Sequence, residues 1–155
     1  HNVSSAASDV YKRQVLEVAK RMLAGELEYR RENYEVAFNN LRKAVECYDD
    51  LNYSEPWSWM MPPRHALGAL LLEQGHVDEA TKVYRADLGL DDTLVRPSQH
   101  PANIWSLLGY AECCERLGDE ANLESIRLEL DHAKQIADNS IQVSCFCRTK
   151  HGCCD

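Results

Sequence analysis

The stretch RHALGALLLEQGHVDEATKVYRADL, residues 64–88, decides the fold. Its apolar residues recur at steps of three and four on either side of Gly75-His76, which is a turn signal. Gly68 is followed twelve residues later by Ala80, and small residues at such positions let two helices approach closely. The stretch therefore predicts a helical hairpin.

The same organisation occurs twice more. Gly25 is followed twelve residues later by Ala37, and Gly109 by Ala121. In the third repeat Gly118 falls two positions later than Gly75 does in its own, so either Ala121 or Leu123 occupies the position of the small residue. Short turn signals at 32–33, 75–76 and 117–119 alternate with longer breaks at 49–63 and 90–101, which carry all five prolines. This alternation predicts an all-α solenoid of three helical hairpins between residues 15 and 138.

The residues around these glycines resemble the tetratricopeptide repeat (TPR). That family has the pattern W-x-x-L-G-x-x-Y followed by A-x-x-x-F, and this chain has Trp105-x-x-Leu108-Gly109 and Ala80-x-x-x-Tyr84. Asp87 departs from the family pattern, which has Ala at that position. The chain also resembles an uncharacterised group of bacterial and fungal TPR proteins. The resemblance implies a right-handed α-α superhelix and a scaffold that binds a protein or peptide.

The spacing between repeats is longer than in the family. Gly25 and Gly68 are 43 residues apart, and Gly68 and Gly109 are 41 apart, against about 34 for a TPR. Both insertions precede a first helix, as EPWSWMMPPRHALG (55–68) and RPSQHPANIW (96–105). We expect them to build a binding edge, unless the Trp and Met side chains of the first insertion plug the joint between two hairpins.

The resemblance places the ligand groove on the first helices, and the insertions add residues at its edge. Met22, His65 and Ser106 stand where chaperone-binding members of the family clamp a peptide carboxylate, so that ligand is not expected. The predicted groove and edge comprise Tyr29, Arg30, Trp57, Trp59, His65, Glu73, His100, Asn103, Trp105 and Tyr110.

An alternative prediction is a metal-binding or thiol-redox site. Cys145 and Cys147 would project to one side of an extended segment, and with His65 and His100 they would suit Zn or Cu. Seven cysteines without a regular even spacing favour free thiols in a reducing compartment, which predicts a cytoplasmic protein.

Several classes of function find no support in the sequence. The net charge of −8 and the lack of a basic stripe argue against a nucleic-acid partner. The longest strongly apolar run, residues 66–72, is too short to span a membrane. No catalytic motif occurs, so we expect a non-enzymatic protein with no catalytic residue. Residues 1–14, HNVSSAASDVYKRQ, are predicted to be a disordered, non-native leader, and residues 139–155 a Cys-rich tail that is extended or disordered.

Overall fold

The structure is a computed structural model that describes residues 2–52, 54, 56–57, 59–138 and 140–148. The regular secondary structure of the described residues is entirely helical, with no strand, which confirms the all-α class. The chain separates into two compact units, residues 1–63 and 64–155, which are described in turn. Its helices are α1 (Asn2–Arg30), α2 (Tyr34–Asp49), α3 (Pro63–Glu73), α4 (Val77–Leu88), a 3₁₀ turn (Arg96–Ser98), α5 (Ile104–Leu117) and α6 (Glu120–Ile136).

In the first unit, α1 and α2 form the predicted helical hairpin. Gly25 lies against Leu41, and a Cβ atom added to this glycine would be 2.6 Å from Leu41 Cγ. The turn between the helices falls at the predicted residues, and Glu32 adopts a positive φ of 65° there. The interior of the hairpin is apolar and consists mainly of Val18, Met22, Tyr29, Ala37, Phe38, Leu41 and Ala44.

The beginning of α1 differs from the sequence-based expectation. The helix starts at Asn2, so residues 2–14, which were predicted to be disordered, are helical. This segment has no Gly or Pro that would break the helix. The hydroxyl of Tyr11 also lies 3.1 Å from Ser54 Oγ, a contact that ties this part of α1 to the segment after α2.

In the second unit, α3 and α4 form the hairpin predicted from residues 64–88. Gly75, at a φ of 81°, makes the turn between them, a conformation that glycine adopts without steric cost. The ring of Tyr84 lies against Gly68, where an added Cβ would be 2.6 Å from Tyr84 Cζ. The same ring also meets Gly109 of α5. Tyr84 is therefore enclosed by small residues on both sides.

The third hairpin forms, but not through the predicted pair of small residues. Ala121 is exposed, and Gly109 packs against Tyr84 of the preceding hairpin instead. The side of α6 that is buried carries larger residues, Ile126 and Leu130 together with Ala133. No helix among the described residues is long and apolar enough to cross a membrane.

Candidate functional site

The polar centre of the second unit is the carboxylate of Asp87, which is completely buried near the end of α4. His100 Nδ1 lies 2.7 Å from Asp87 Oδ1, and His65 Nε2 lies 3.1 Å from Asp87 Oδ2. The hydroxyl of Ser106 and the side-chain amide of Asn103 donate to Oδ2 at 2.5 and 3.0 Å. One carboxylate thus joins residues from α3, from α5 and from the segment that precedes α5. We call these five residues the Asp87 cluster.

The surroundings of Asp87 favour its ionised form. Burial alone would raise the pKa of this carboxyl group, but the hydrogen bonds and electrostatic interactions with His100 and His65 outweigh burial and hold the pKa well below its ordinary value. The backbone N–H of His100 also donates to the backbone carbonyl of Asp87 at 2.6 Å. The cluster therefore fixes the second inserted segment against α4.

The predicted metal ligands have other partners in this structure. The rings of His65 and His100 lie 6.5 Å apart and both face Asp87. Cys145 and Cys147 form a disulfide, which corrects the expectation of free thiols for this pair. Within the described ranges, no group of three or more His, Cys, Asp or Glu side chains is arranged to hold a metal ion. A Zn or Cu site at these residues stays a prediction.

The segment Ile141–Arg148, which we call the C-terminal strap, packs against the second unit. Val143 and Ser144 are buried, and the hydroxyl of Tyr84 donates to Ser144 Oγ at 2.9 Å. Phe146 stacks edge-to-face on Trp105, with ring centroids 4.9 Å apart. The strap has no helix or strand, as predicted, but these contacts hold it in place.

An ion pair completes the attachment of the strap. Arg148 donates through Nη1 to Glu112 Oε2 at 2.5 Å and through Nη2 to Glu112 Oε1 at 3.3 Å. Burial raises the pKa of Glu112, but the hydrogen bond and charge of Arg148, helped by Arg116, lower it further than burial raises it. Such a two-pronged Arg–carboxylate pair is geometrically specific.

Two of the predicted groove residues are internal. Tyr29 is 5% exposed and packs its ring against Tyr34 and Phe38, and Tyr110 is 1% exposed and accepts a hydrogen bond from Arg85 at 3.0 Å. His100 is buried in the Asp87 cluster. These three are corrections to the predicted groove: large rings fill the space between packed helices instead of lining an open surface.

Other predicted residues are partly covered by neighbours. Asn103 caps the start of α5 by accepting from the backbone N–H of Ser106 at 2.9 Å. Trp105 lies beside the strap, while His65 and Glu73 are half-buried. Arg30 is exposed, with its guanidinium 5.6 Å from the centre of the Tyr29 ring.

The first inserted segment keeps apolar side chains at the surface of the first unit. Trp57 is 39% exposed, Met60 68% and Met61 64%. Trp59 behaves differently: it is half-buried, and its indole N–H donates to the sulfur of Met22 at 3.0 Å. We call Trp57, Met60 and Met61 the exposed edge, with Trp59 as its anchor.

Sequence reasoning missed most residues that organise the second unit. Asp87 gave one signal, since it departs from the TPR pattern, which has Ala at this position. A charged residue that replaces a small buried one requires hydrogen-bond or charge partners around it. Nothing in the sequence pattern pairs Glu112 with Arg148 or Tyr84 with Ser144.

Comparison with protein-family models, with curated proteins and with solved structures finds no match to this chain. Membership of the TPR family therefore stays a prediction from the residues quoted above.

Proposed function

We propose that this chain is a non-enzymatic binding module, a TPR-like helical solenoid that recognises a protein or peptide through its inserted segments. The observation that carries the proposal is the exposed edge. Three large apolar side chains within five residues face solvent, which is typical of an interaction surface when they lie together. The internal positions of Tyr29 and Tyr110 support recognition at the edge in preference to the groove residues.

The chemistry of the exposed edge suits an apolar peptide segment. Trp and Met side chains offer large contact areas, and methionine adapts its shape because its chain is unbranched. The hydrogen bond from Trp59 to Met22 fixes one point of the first inserted segment to α1. The segment therefore loses less conformational entropy when a peptide binds. The chain has net negative charge, so we expect the partner to be neutral or basic around its apolar anchor.

The proposal can be tested by selecting ligands from a random peptide library displayed on phage with the purified chain. The enriched peptides are then measured by fluorescence anisotropy against Trp57→Ala and the double variant Met60→Ala with Met61→Ala. We expect each to weaken binding by about tenfold or more, as for truncation of an apolar anchor.

A matched control is Leu128→Ala, which removes an exposed leucine from α6 in the other unit. This variant should bind the selected peptides as the parent chain does, and circular dichroism should show all variants folded. Failure to enrich any peptide, or equal affinity of the Trp57→Ala variant, would contradict the proposal.

A further inference from the structure

We propose that Cys145 and Cys147 form a redox-active disulfide that exchanges with thiols of small molecules or proteins. The two cysteines are separated by one residue, and both are partly exposed. This inference does not depend on the peptide-binding proposal, which concerns the other unit.

A structural role would explain this disulfide poorly. A cross-link stabilises a fold mainly by restricting the unfolded chain, and its effect decreases as the closed loop becomes shorter. Here the loop encloses only Phe146, so the unfolded chain is barely restricted. Disulfides that are accessible and contribute little to stability are the ones that undergo exchange.

We expect the strap to keep the two sulfur atoms together whether or not they are bonded. Ser144 is held by Tyr84, Phe146 by Trp105 and Arg148 by Glu112, so anchors precede, separate and follow the cysteines. None of these contacts requires the disulfide bond. After reduction the two thiols therefore stay close, and the bond can form again within the same chain.

The two sulfur atoms are not equivalent. The backbone N–H of Cys147 lies 3.1 Å from Cys145 Sγ and donates to it, so negative charge on Cys145 is stabilised. A sulfur whose thiolate is stabilised is the better leaving group. We therefore expect an incoming thiolate to attack Cys147 Sγ and the electron pair of the broken bond to move to Cys145 Sγ.

The complete reaction with a dithiol is balanced. The first thiolate forms a mixed disulfide with Cys147 and releases Cys145. The second thiolate of the dithiol then attacks the dithiol sulfur that is bonded to Cys147. This closes a disulfide within the dithiol and releases Cys147 as a thiolate. The dithiol loses two electrons and two protons and becomes a disulfide, while Cys145 and Cys147 gain them and become thiols.

The other described cysteines are poor candidates for this chemistry. Burial raises the pKa of the Cys113 thiol to about 11 and also raises that of Cys114, so both carry little thiolate at neutral pH. Neither belongs to a disulfide. Cys47 is half-buried and has no disulfide partner.

The test uses the full chain with Cys47, Cys153 and Cys154 replaced by serine, equilibrated with graded ratios of reduced to oxidised glutathione. Acid quenching, alkylation and mass spectrometry then count the thiols at Cys145 and Cys147. We expect the pair to convert fully and reversibly between disulfide and dithiol across these ratios, with the helical circular dichroism unchanged. A pair that remains reduced, or remains oxidised, at every ratio would overturn the proposal.

Two single variants in the same background test the order of attack. With Cys145→Ser, Cys147 should accumulate a mixed disulfide with glutathione, because the second thiol that resolves it is absent. With Cys147→Ser, the remaining thiol of Cys145 should react several-fold faster with iodoacetamide near pH 7 than Cys147 does in the first variant. Equal rates would overturn the assignment of Cys145 as the leaving group.

A synthetic dithiol peptide provides the second probe. Oxidation of this peptide by the chain, at a rate well above that with glutathione, would identify protein dithiols as the favoured reactants. A faster reaction with glutathione would identify small thiols instead. No reaction with either reagent, in a chain that retains its disulfide, would overturn the exchange activity itself.

Discussion

The hydroxyl of Tyr84 donates a hydrogen bond to Ser144 Oγ at 2.9 Å, although 60 residues separate the two. Both side chains are buried, and the ring of Tyr84 is enclosed by Gly68 and Gly109. A single side chain therefore contacts α3, α5 and the C-terminal strap. Gly68 and Gly109 have no side chain that would occupy the space of this ring.

Removing both partners of this hydrogen bond should cost less than the sum of the two single removals. We expect Tyr84→Phe and Ser144→Ala each to lower the free energy of unfolding by about 1 kcal/mol, since each leaves a buried hydroxyl without its partner. The double variant should be less destabilised than the sum of the two. Urea unfolding followed by circular dichroism measures the coupling, and additive losses would show that the two hydroxyls do not interact.

Gly109→Ala should destabilise the chain because the added methyl group would overlap the ring of Tyr84. Overpacking of this kind costs about 1–3 kcal/mol. The matched background is Tyr84→Leu, in which the smaller side chain leaves room for the methyl group. The same measurement should give a much smaller cost of Gly109→Ala there, and an equal cost in both backgrounds would contradict the packing described.

Asp87→Asn should be among the more damaging single substitutions in the second unit. The amide cannot accept from all the donors that surround the carboxylate, so we expect a loss of about 3 kcal/mol at pH 7. The control is Asp92→Asn, at an exposed carboxylate close by along the chain, which should change stability by less than about 0.5 kcal/mol. Equal effects of the two substitutions would contradict the role of the Asp87 carboxylate as a buried hydrogen-bond acceptor.

The same carboxylate should make stability depend on pH in the acid range. The folded pKa of Asp87 is lower than its unfolded value near 3.9, so the ionised group stabilises the native state above that pH. This contribution is lost as the pH falls below about 4. Urea midpoints measured between pH 7 and pH 2.5 should therefore decrease more steeply for the parent chain than for Asp87→Asn. Parallel curves would contradict the depressed pKa.

The helices could be predicted from sequence because their signals are local. Gly75-His76 and residues 117–119 mark turns by their own conformational preferences, and the apolar spacing of each helix follows from its period. Ala121 shows the limit of this reasoning. Its spacing from Gly109 matched the other two hairpins, but the ring that fills the space beside Gly109 comes from a different hairpin.

The candidate sites depended on contacts that sequence spacing does not specify. The alternative prediction put His65 and His100 in one site, and both rings contact the carboxylate of Asp87, a residue that the prediction did not include. Tyr29 and Tyr110 occupy positions that the TPR resemblance assigns to the groove, and burial is decided by their neighbours. The strap could not be positioned because its anchors are single residues far away in sequence.

Glu112→Gln should release the end of the C-terminal strap without unfolding the hairpins. The substitution removes the charge that Arg148 pairs with and weakens both hydrogen bonds, while the helix propensity of Gln is close to that of Glu. Trypsin cleaves after arginine only when the side chain can enter its pocket, so cleavage after Arg148 should become several-fold faster. Mass spectrometry of brief digests measures the rate of this cut.

The matched control for this prediction is Glu115→Gln, which alters an exposed carboxylate one turn further along α5. It should leave the cleavage rate after Arg148 unchanged, because Glu115 lies outside the ion pair. Tyr84→Phe should increase the rate to a smaller extent, since it loosens the strap four residues earlier. If Glu112→Gln and Glu115→Gln behave alike, the ion pair does not hold the strap, and its attachment must depend on the Phe146–Trp105 and Ser144–Tyr84 contacts alone.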